Sequence, residues 1–201
     1  LIVLVESVLW LFGIYGDNVF DGLLNSTNSA FAFSNGQITT GAFIDTFALL
    51  GGCGATICAF IALILFSKIQ KRKKLCHLAG IPQIFNINEL IVFGLPIVLN
   101  PIYIVPFVLT PLVCYSIAYL ATFTGIVPQI VNPGVQWTTP IIISGYRATG
   151  SVMGSVLQIF LLAAGVAIFA VTSTLIGFLY DGADNINDII VETPIMKKVN
   201  S

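Results

Sequence analysis

Residues 90–146 contain no Asp, Glu, Lys, Arg or His, yet seven of the nine prolines in the chain lie among them. These prolines are Pro96, Pro101, Pro106, Pro111, Pro128, Pro133 and Pro140. Each proline removes a backbone donor and disturbs the preceding helical turn. Because unpaired backbone groups are very costly in lipid, such broken segments must be buried in protein or line a cavity. The combination is typical of re-entrant hairpins and of transport sites in membrane proteins.

The composition of the whole chain supports a membrane location. Of the 201 residues, 57% are hydrophobic and 8% are charged, whereas a soluble domain is about 25% charged. The mean hydropathy is +0.98. This composition excludes a soluble globule, a disordered tail and a secreted disulfide scaffold, and a net charge of -1 offers no basic field for nucleic acid. We predict an all-α fold of polytopic membrane helices, with re-entrant hairpins and proline-broken segments, surrounded by a lipid bilayer.

The order of apolar and polar segments predicts how this fold is laid out. The chain opens inside an apolar segment, so we expect it to be part of a larger membrane protein. We expect a partial transmembrane domain over 1–179 and a tail or linker over 180–201. Within the first domain we predict a helix end at 1–15, a polar loop at 16–41, a span at 46–66, a re-entrant hairpin near 83–98, a span at 102–125, a broken segment at 130–148 and a final helix at 150–179.

Five of the eight cations lie close together, which predicts the orientation of the chain in the membrane. They are Lys68, Lys71, Arg72, Lys73 and Lys74. Cytoplasmic loops carry an excess of Lys and Arg, so we expect a cytoplasmic loop at 68–74. Three crossings after the first helix then place the C-terminus in the cytoplasm as well.

Glu89 is the most informative single residue. It lies beside Asn86 and Asn88, at the start of the uncharged stretch. An ionisable side chain at membrane depth is by default a candidate functional residue. The carboxylate could accept a hydroxyl proton as a general base, and the two amides offer donors and acceptors suited to a polyol. The alternative is an interfacial glutamate at a helix start, where the helix dipole favours it.

The remaining polar and small residues allow ordinary structural interpretations. Trp137 could stack on a sugar ring or lie in an aromatic belt at the interface. The three glycines of GGCGAT lack the Gly-Lys-Ser/Thr of a phosphate loop and favour close helix packing. The four cysteines form no CxxC or Cys/His pattern and are interpreted as small apolar fillers. We predict no metal site and no cofactor.

Three sequence words, in order, resemble the lactose/cellobiose-type enzyme IIC of the sugar phosphotransferase system. They are GGCGATICAFIALILFSK, IFNINELIVFGLPIVLNP and WTTPIIISGYRATG. The resemblance covers about residues 1–178 and implies the C-terminal, substrate-binding half of a permease that works as a homodimer in the bacterial plasma membrane. It implies binding of a disaccharide such as cellobiose, diacetylchitobiose or lactose. A partner IIB subunit that carries a phosphocysteine would phosphorylate the sugar from the cytoplasmic side and so trap it inside.

The resemblance also implies roles for individual residues. The glutamate of the family falls on Glu89, as catalytic and sugar-binding residue. The other substrate-binding residues that we predict are Asn86, Asn88, Tyr15, Trp137 and Thr138. Three positions depart from the family pattern: Tyr15 replaces a histidine, Leu90 replaces a proline and Gln136 replaces a proline. A tyrosine does not shuttle a proton near neutral pH, so whether phosphotransfer occurs stays open.

Two functions therefore remain. The first is a working permease in which translocation of the sugar is coupled to its phosphorylation by IIB. The alternative, motivated by Tyr15, Leu90 and Gln136, is a degenerate sugar sensor or regulatory module without phosphotransfer.

Overall fold

A computed structural model of the protein describes residues 2–12, 14, 41–66, 70–95 and 101–191. None of these residues forms a β-strand, and the predicted all-α fold class is confirmed. Among them, the helices are α1 (Ile2–Leu11), α2 (Gly41–Phe43), α3 (Thr56–Phe66), α4 (Gln70–Ile84), α5 (Glu89–Gly94), α6 (Pro101–Phe123), α7 (Ile143–Thr149) and α8 (Val152–Val191), with a π-helical turn at Ile44–Ala48 and a 3₁₀ turn at Cys53–Ala55.

Three helical stretches in the described ranges are long and apolar enough to cross a membrane. They are Gly41–Phe66, Tyr103–Phe123 and Val152–Thr172, with mean hydropathies of 2.4, 1.9 and 2.3. A helix of about 20 residues covers the roughly 30 Å hydrocarbon core. Each stretch overlaps one of the spans predicted at 46–66, 102–125 and 150–179, which agrees with the multi-spanning architecture.

The first of these spans is interrupted by its glycines. The chain leaves the π-helical turn at Leu49 and is helical again from Thr56. Between them Gly51, Gly52 and Gly54 have φ angles of 77°, 95° and 73°, a region that glycine enters readily because it has no Cβ. The span predicted at 46–66 is thus built from two helical pieces, since the glycines end one and begin the other. They also permit close packing, as predicted.

Four of the five clustered basic residues belong to a helix, which corrects the predicted loop at 68–74 over its described part. Residues 70–74 form the first turn and a half of α4; residues 67–69 lie outside the described ranges. Lys and Arg are good helix formers, so a cluster of them indicates a solvated location without indicating an irregular backbone.

Helices α4 and α5 form a hairpin that partly overlaps the re-entrant hairpin predicted near 83–98; residues 96–98 lie outside the described ranges, and re-entry into the membrane stays a prediction. The first arm begins at Gln70, the turn occupies 85–88, and the second arm ends at Gly94. The amides of Phe85 and Ile87 donate to the Pro82 carbonyl at 3.0 Å each. These bonds close the turn and fix the point at which α5 starts with Glu89.

An apolar core joins the first span to α6 and α8. It contains Phe43, Phe47, Leu50, Cys58, Cys114, Leu157 and Leu161. Helix α6 continues through Pro106 and Pro111, and residues 124–142 then run as turns to α7, in keeping with the predicted broken segment at 130–148. The chain divides into two compact units, Leu1–Ala170 and Val171–Ser201. Helix α8 extends beyond the predicted end at 179, and the boundary predicted there between domain and tail stays a prediction.

Candidate functional site

Three parts of the chain meet at the turn between α4 and α5. Side chains of this turn and of the end of α4 donate hydrogen bonds to carbonyl groups in the glycine break of the first span and in segment 137–139. Hydrogen bonds therefore connect the hairpin that carries Glu89 to two segments of irregular backbone. This junction is the candidate site.

Gln83, in the last turn of α4, joins the hairpin to the glycine break. It is fully buried, and its Nε2 donates to the Gly51 carbonyl oxygen at 2.7 Å and to Thr56 Oγ1 at 3.3 Å. Thr56 Oγ1 donates in turn to the same carbonyl at 2.6 Å. An interrupted helix leaves carbonyls without helical donors, which is costly inside a membrane. Gln83 and Thr56 together satisfy one of those carbonyls.

Asn88, the residue before α5, makes the second link to the break. It is 4% exposed, and its Nδ2 donates to the Cys53 carbonyl oxygen at 3.3 Å. A Cβ added to Gly52 would lie 2.8 Å from Asn88 Cγ. Gly52 thus allows the amide to approach, which is a more specific role than general helix packing.

Asn86 links the turn to the segment that contains Trp137. Its backbone is left-handed, with φ 63°, a conformation in which asparagine is enriched. Its Nδ2 donates to the carbonyl oxygens of Trp137 at 2.5 Å and Thr139 at 3.0 Å. The amide therefore holds the main chain of segment 137–139 against the hairpin.

Three buried side-chain oxygens of the hairpin lack a hydrogen-bond partner among the described residues. They are Gln83 Oε1, Asn86 Oδ1 and Glu89 Oε2. The amide groups cannot be turned round, because their nitrogens already face carbonyl acceptors. A buried acceptor left without a donor costs about 1–3 kcal/mol. A bound molecule that brings hydroxyl or N–H donors would recover this free energy.

Comparison with known proteins places the chain in a family. The family model described as "Phosphotransferase system, EIIC" matches residues 1–111, which is more than half of the chain. The chain belongs to this EIIC family. The predicted resemblance to enzyme IIC is thereby confirmed.

Individual EIIC relatives cover most of this chain. The lichenan permease IIC component of Bacillus subtilis (strain 168) is 39% identical over 77% of the chain and 36% of its own length. The cellobiose-specific EIIC component of Lactococcus lactis subsp. lactis (strain IL1403) is 38% identical over 75% of the chain and 36% of its own length. The chain thus spans little more than a third of these curated relatives.

A solved structure of an EIIC transporter has the same fold. It is the crystal structure of ChbC, the IIC component from the N,N'-diacetylchitobiose-specific phosphotransferase system. The match has a TM-score of 0.79 and 31% sequence identity, and it covers 92% of this chain and 45% of ChbC. The helical membrane architecture is therefore that of an EIIC transporter.

The predicted site residues of this EIIC chain occupy different positions relative to the junction. Glu89 is half-buried at the first position of α5, and Asn86 and Asn88 lie in the preceding turn. The Trp137 side chain is 63% exposed, and only its carbonyl oxygen is bound by the hairpin. Thr138 is half-buried between the two carbonyls that Asn86 binds. Tyr15 lies outside the described residues.

Gln83 is a residue that the sequence reasoning missed. It is the polar residue between Pro82 and the FNINEL word, and its side chain is more deeply buried than those of Asn86 and Glu89. A polar amide in a segment predicted to re-enter the membrane is a usable signal, because such a group must find partners there. Its partner Gly51 lies 32 positions away, and no local pattern indicates that pairing.

Proposed function

We propose that this EIIC chain forms the disaccharide-binding part of a sugar permease of the phosphotransferase system. The observation that carries the proposal is the pair of buried oxygens at Asn86 and Glu89 that have no donor among the described residues. A sugar offers several hydroxyl donors, and a charged acceptor forms the stronger bonds. The relatives are named for lichenan, cellobiose, lactose and diacetylchitobiose, which supports a substrate of the class of cellobiose, diacetylchitobiose or lactose.

Glu89 is the group with the chemistry for phosphotransfer in this proposal. Its carboxylate accepts a hydrogen bond from one sugar hydroxyl and takes the proton as that oxygen attacks phosphorus on the phosphocysteine of IIB. The new O–P bond forms while the S–P bond breaks, and the thiolate of IIB leaves. Gln83 and Asn88 bond the hairpin to the glycine break, and these bonds fix the position of Glu89.

The partners and the orientation of the permease follow the same proposal. The cations at the start of α4 favour a cytoplasmic position for that end of the hairpin, which is the side from which IIB delivers phosphate. The phosphorylated IIB subunit is the macromolecular partner, and the full-length permease is a homodimer in the bacterial plasma membrane. Phosphorylation prevents the return of the sugar.

The test is the variant Glu89→Gln in the full-length protein, purified in detergent. Loss of a hydrogen bond to a charged group, about 1.5–3 kcal/mol, corresponds to an affinity about 10- to 100-fold lower. We expect this loss for cellobiose, lactose or diacetylchitobiose, whichever binds, measured by titration calorimetry. The unfolding temperature without sugar should change little, because glutamine keeps the size and shape of the Glu89 side chain. A variant that binds sugar as the wild type does would refute the assignment of Glu89.

The alternative is a sugar sensor without phosphotransfer. Of the three residues that motivate it, not all contribute equally. Leu90 is 40% exposed and has no hydrogen-bonding group, and Gln136 is exposed, so Tyr15 carries most of the argument. Incubation of the reconstituted protein with phosphorylated IIB and sugar separates the two functions. Formation of sugar phosphate supports the permease; binding without it, restored to phosphotransfer by Tyr15→His, supports the sensor.

A further inference from the structure

Two glutamines of the described chain are fully buried, and their hydrogen bonding differs. Gln158 of α8 uses both ends of its amide: Nε2 donates to the Thr46 carbonyl at 2.8 Å and to Ser144 Oγ at 2.9 Å, while Oε1 accepts from the amides of Ile142 at 2.7 Å and Gly145 at 2.9 Å. Gln83 uses Nε2 alone. Its Oε1 is buried and has no partner among the described residues.

The orientation of the Gln83 amide is determined by its neighbours. The Gly51 carbonyl can only accept, so the atom 2.7 Å from it must be nitrogen. The Thr56 hydroxyl gives its one proton to the same carbonyl, so it too can only accept from Gln83. Oε1 consequently remains on the opposite side of the amide from the glycine break. Buried amides are ordinarily satisfied at both ends, as Gln158 is.

Gln83 lies three residues before Asn86 and six before Glu89, and each of these side chains has a buried oxygen without a donor. All three unsatisfied atoms are acceptors, and all three belong to one hairpin. Each of them requires a donor, and a sugar with several hydroxyl groups offers more than one. Gln83 contributes the most deeply buried of the three side chains.

We infer that Gln83 is a specificity-determining residue whose Oε1 accepts a hydrogen bond from a hydroxyl group of the bound disaccharide. This inference rests on the proposed function, because it requires that the hairpin bind a sugar. A site built to accept from one hydroxyl discriminates against an analogue that lacks it, because the protein oxygen is then left unpaired. The adjacent Nε2 keeps the amide rigid, so Oε1 cannot turn to another donor.

The experiment is a mutant cycle between Gln83→Met and a set of monodeoxy analogues of cellobiose, measured by titration calorimetry on the full-length protein. For the wild type we expect one analogue to bind about three- to tenfold more weakly than cellobiose, the effect of one hydrogen bond. In Gln83→Met, cellobiose should lose the same factor, and that analogue should lose nothing more. Gln83→Asn, which keeps the amide but withdraws it by one methylene, should give the same result if the methionine variant does not fold.

The matched control is Gln129→Met, the same change at an exposed glutamine outside the hairpin. It should keep the wild-type pattern across the analogues. Loss of the pattern in Gln129→Met as well would overturn the inference, because the effect would then not be specific to the buried oxygen of Gln83. Unchanged affinities in Gln83→Met would also overturn it and indicate a buried water as the donor. A wild type that binds no disaccharide would refute the proposed function itself. If the wild type binds cellobiose but the effects of Gln83→Met and of the missing hydroxyl group simply add, only the role of Gln83 is refuted.

Discussion

Asn86 combines a left-handed backbone with two side-chain bonds to another segment, and single substitutions separate these roles. Asn86→Gly removes the bonds to the Trp137 and Thr139 carbonyls but tolerates φ 63°. Asn86→Ala removes the same bonds and adds left-handed strain of about 1–2 kcal/mol. We predict that both lower the affinity for the disaccharide and that Asn86→Ala also has the lower unfolding temperature.

The control for Asn86 is Asn132→Ala. Asn132 is exposed, and its side chain accepts from Gly134 N at 3.2 Å within its own turn. It should leave sugar affinity unchanged. If Asn86→Gly also binds sugar as the wild type does, the contact between the hairpin and segment 137–139 has no part in binding.

Thr110 shows that an unsatisfied buried atom need not belong to a site. It is fully buried in α6, and its Oγ1 has no partner among the described residues; the other such atom on this helix, Thr122 Oγ1, lies 12 residues further on. Thr110→Val keeps the shape and removes the polar atom. We predict a free energy of unfolding higher by about 1 kcal/mol, seen as a higher melting temperature, with unchanged sugar affinity. A lower melting temperature would mean that the hydroxyl is satisfied in the membrane.

At the scale of elements, the interruption of the first span depends on the contact between Gly54 and α6. Gly54 has φ 73°, and a Cβ there would overlap the Phe107 ring. Gly54→Ala therefore incurs both backbone strain and overpacking, about 2–5 kcal/mol together, and should lower the melting temperature strongly. Gly125 also has a positive φ, 76°, with nothing near its Cβ position.

Gly125→Ala thus isolates the backbone term and should cost about 1–2 kcal/mol. Combining Gly54→Ala with Phe107→Leu should relieve the overlap and bring the melting temperature closer to that of Gly125→Ala. Equal melting temperatures for Gly54→Ala and Gly125→Ala would show that the Phe107 ring yields without cost.

Helices and turns could be predicted from sequence where the deciding signal is local composition or local spacing of residues. Uncharged length predicts the spans, and prolines and asparagines around Glu89 predict a hairpin there. The glycine break was not predicted, because three glycines serve equally for close packing and for positive φ. Helix at 70–74 was not predicted, since charge reports exposure and not backbone conformation. Gln83 was missed because its importance depends on Gly51, a contact between segments distant in sequence.

At the scale of the whole molecule, most charged residues lie outside the three apolar stretches. Described charged side chains that are exposed, such as Lys74 and Arg147, lie at helix ends, whereas the middle of the spans is uncharged. Glu89 lies between them in the sequence, 15 residues after Lys74 and 58 before Arg147. A carboxylate in this position is stable only with donors around it, so sugar binding and the folding of the hairpin depend on the same groups.

The orientation of the molecule is the last prediction. By the excess of cations near α4, Lys74 faces the cytoplasm and Thr124, beyond the end of α6, faces outward; both side chains are exposed. A membrane-impermeant maleimide should therefore label Thr124→Cys in intact cells and Lys74→Cys only after the cells are opened. The native thiols give little background, because all four are buried and burial raises the pKa of Cys76 above its ordinary value. A raised pKa leaves less of the reactive thiolate at neutral pH. Labelling of Lys74→Cys in intact cells would reverse the orientation and place the phosphate donor on the wrong side of the proposed site.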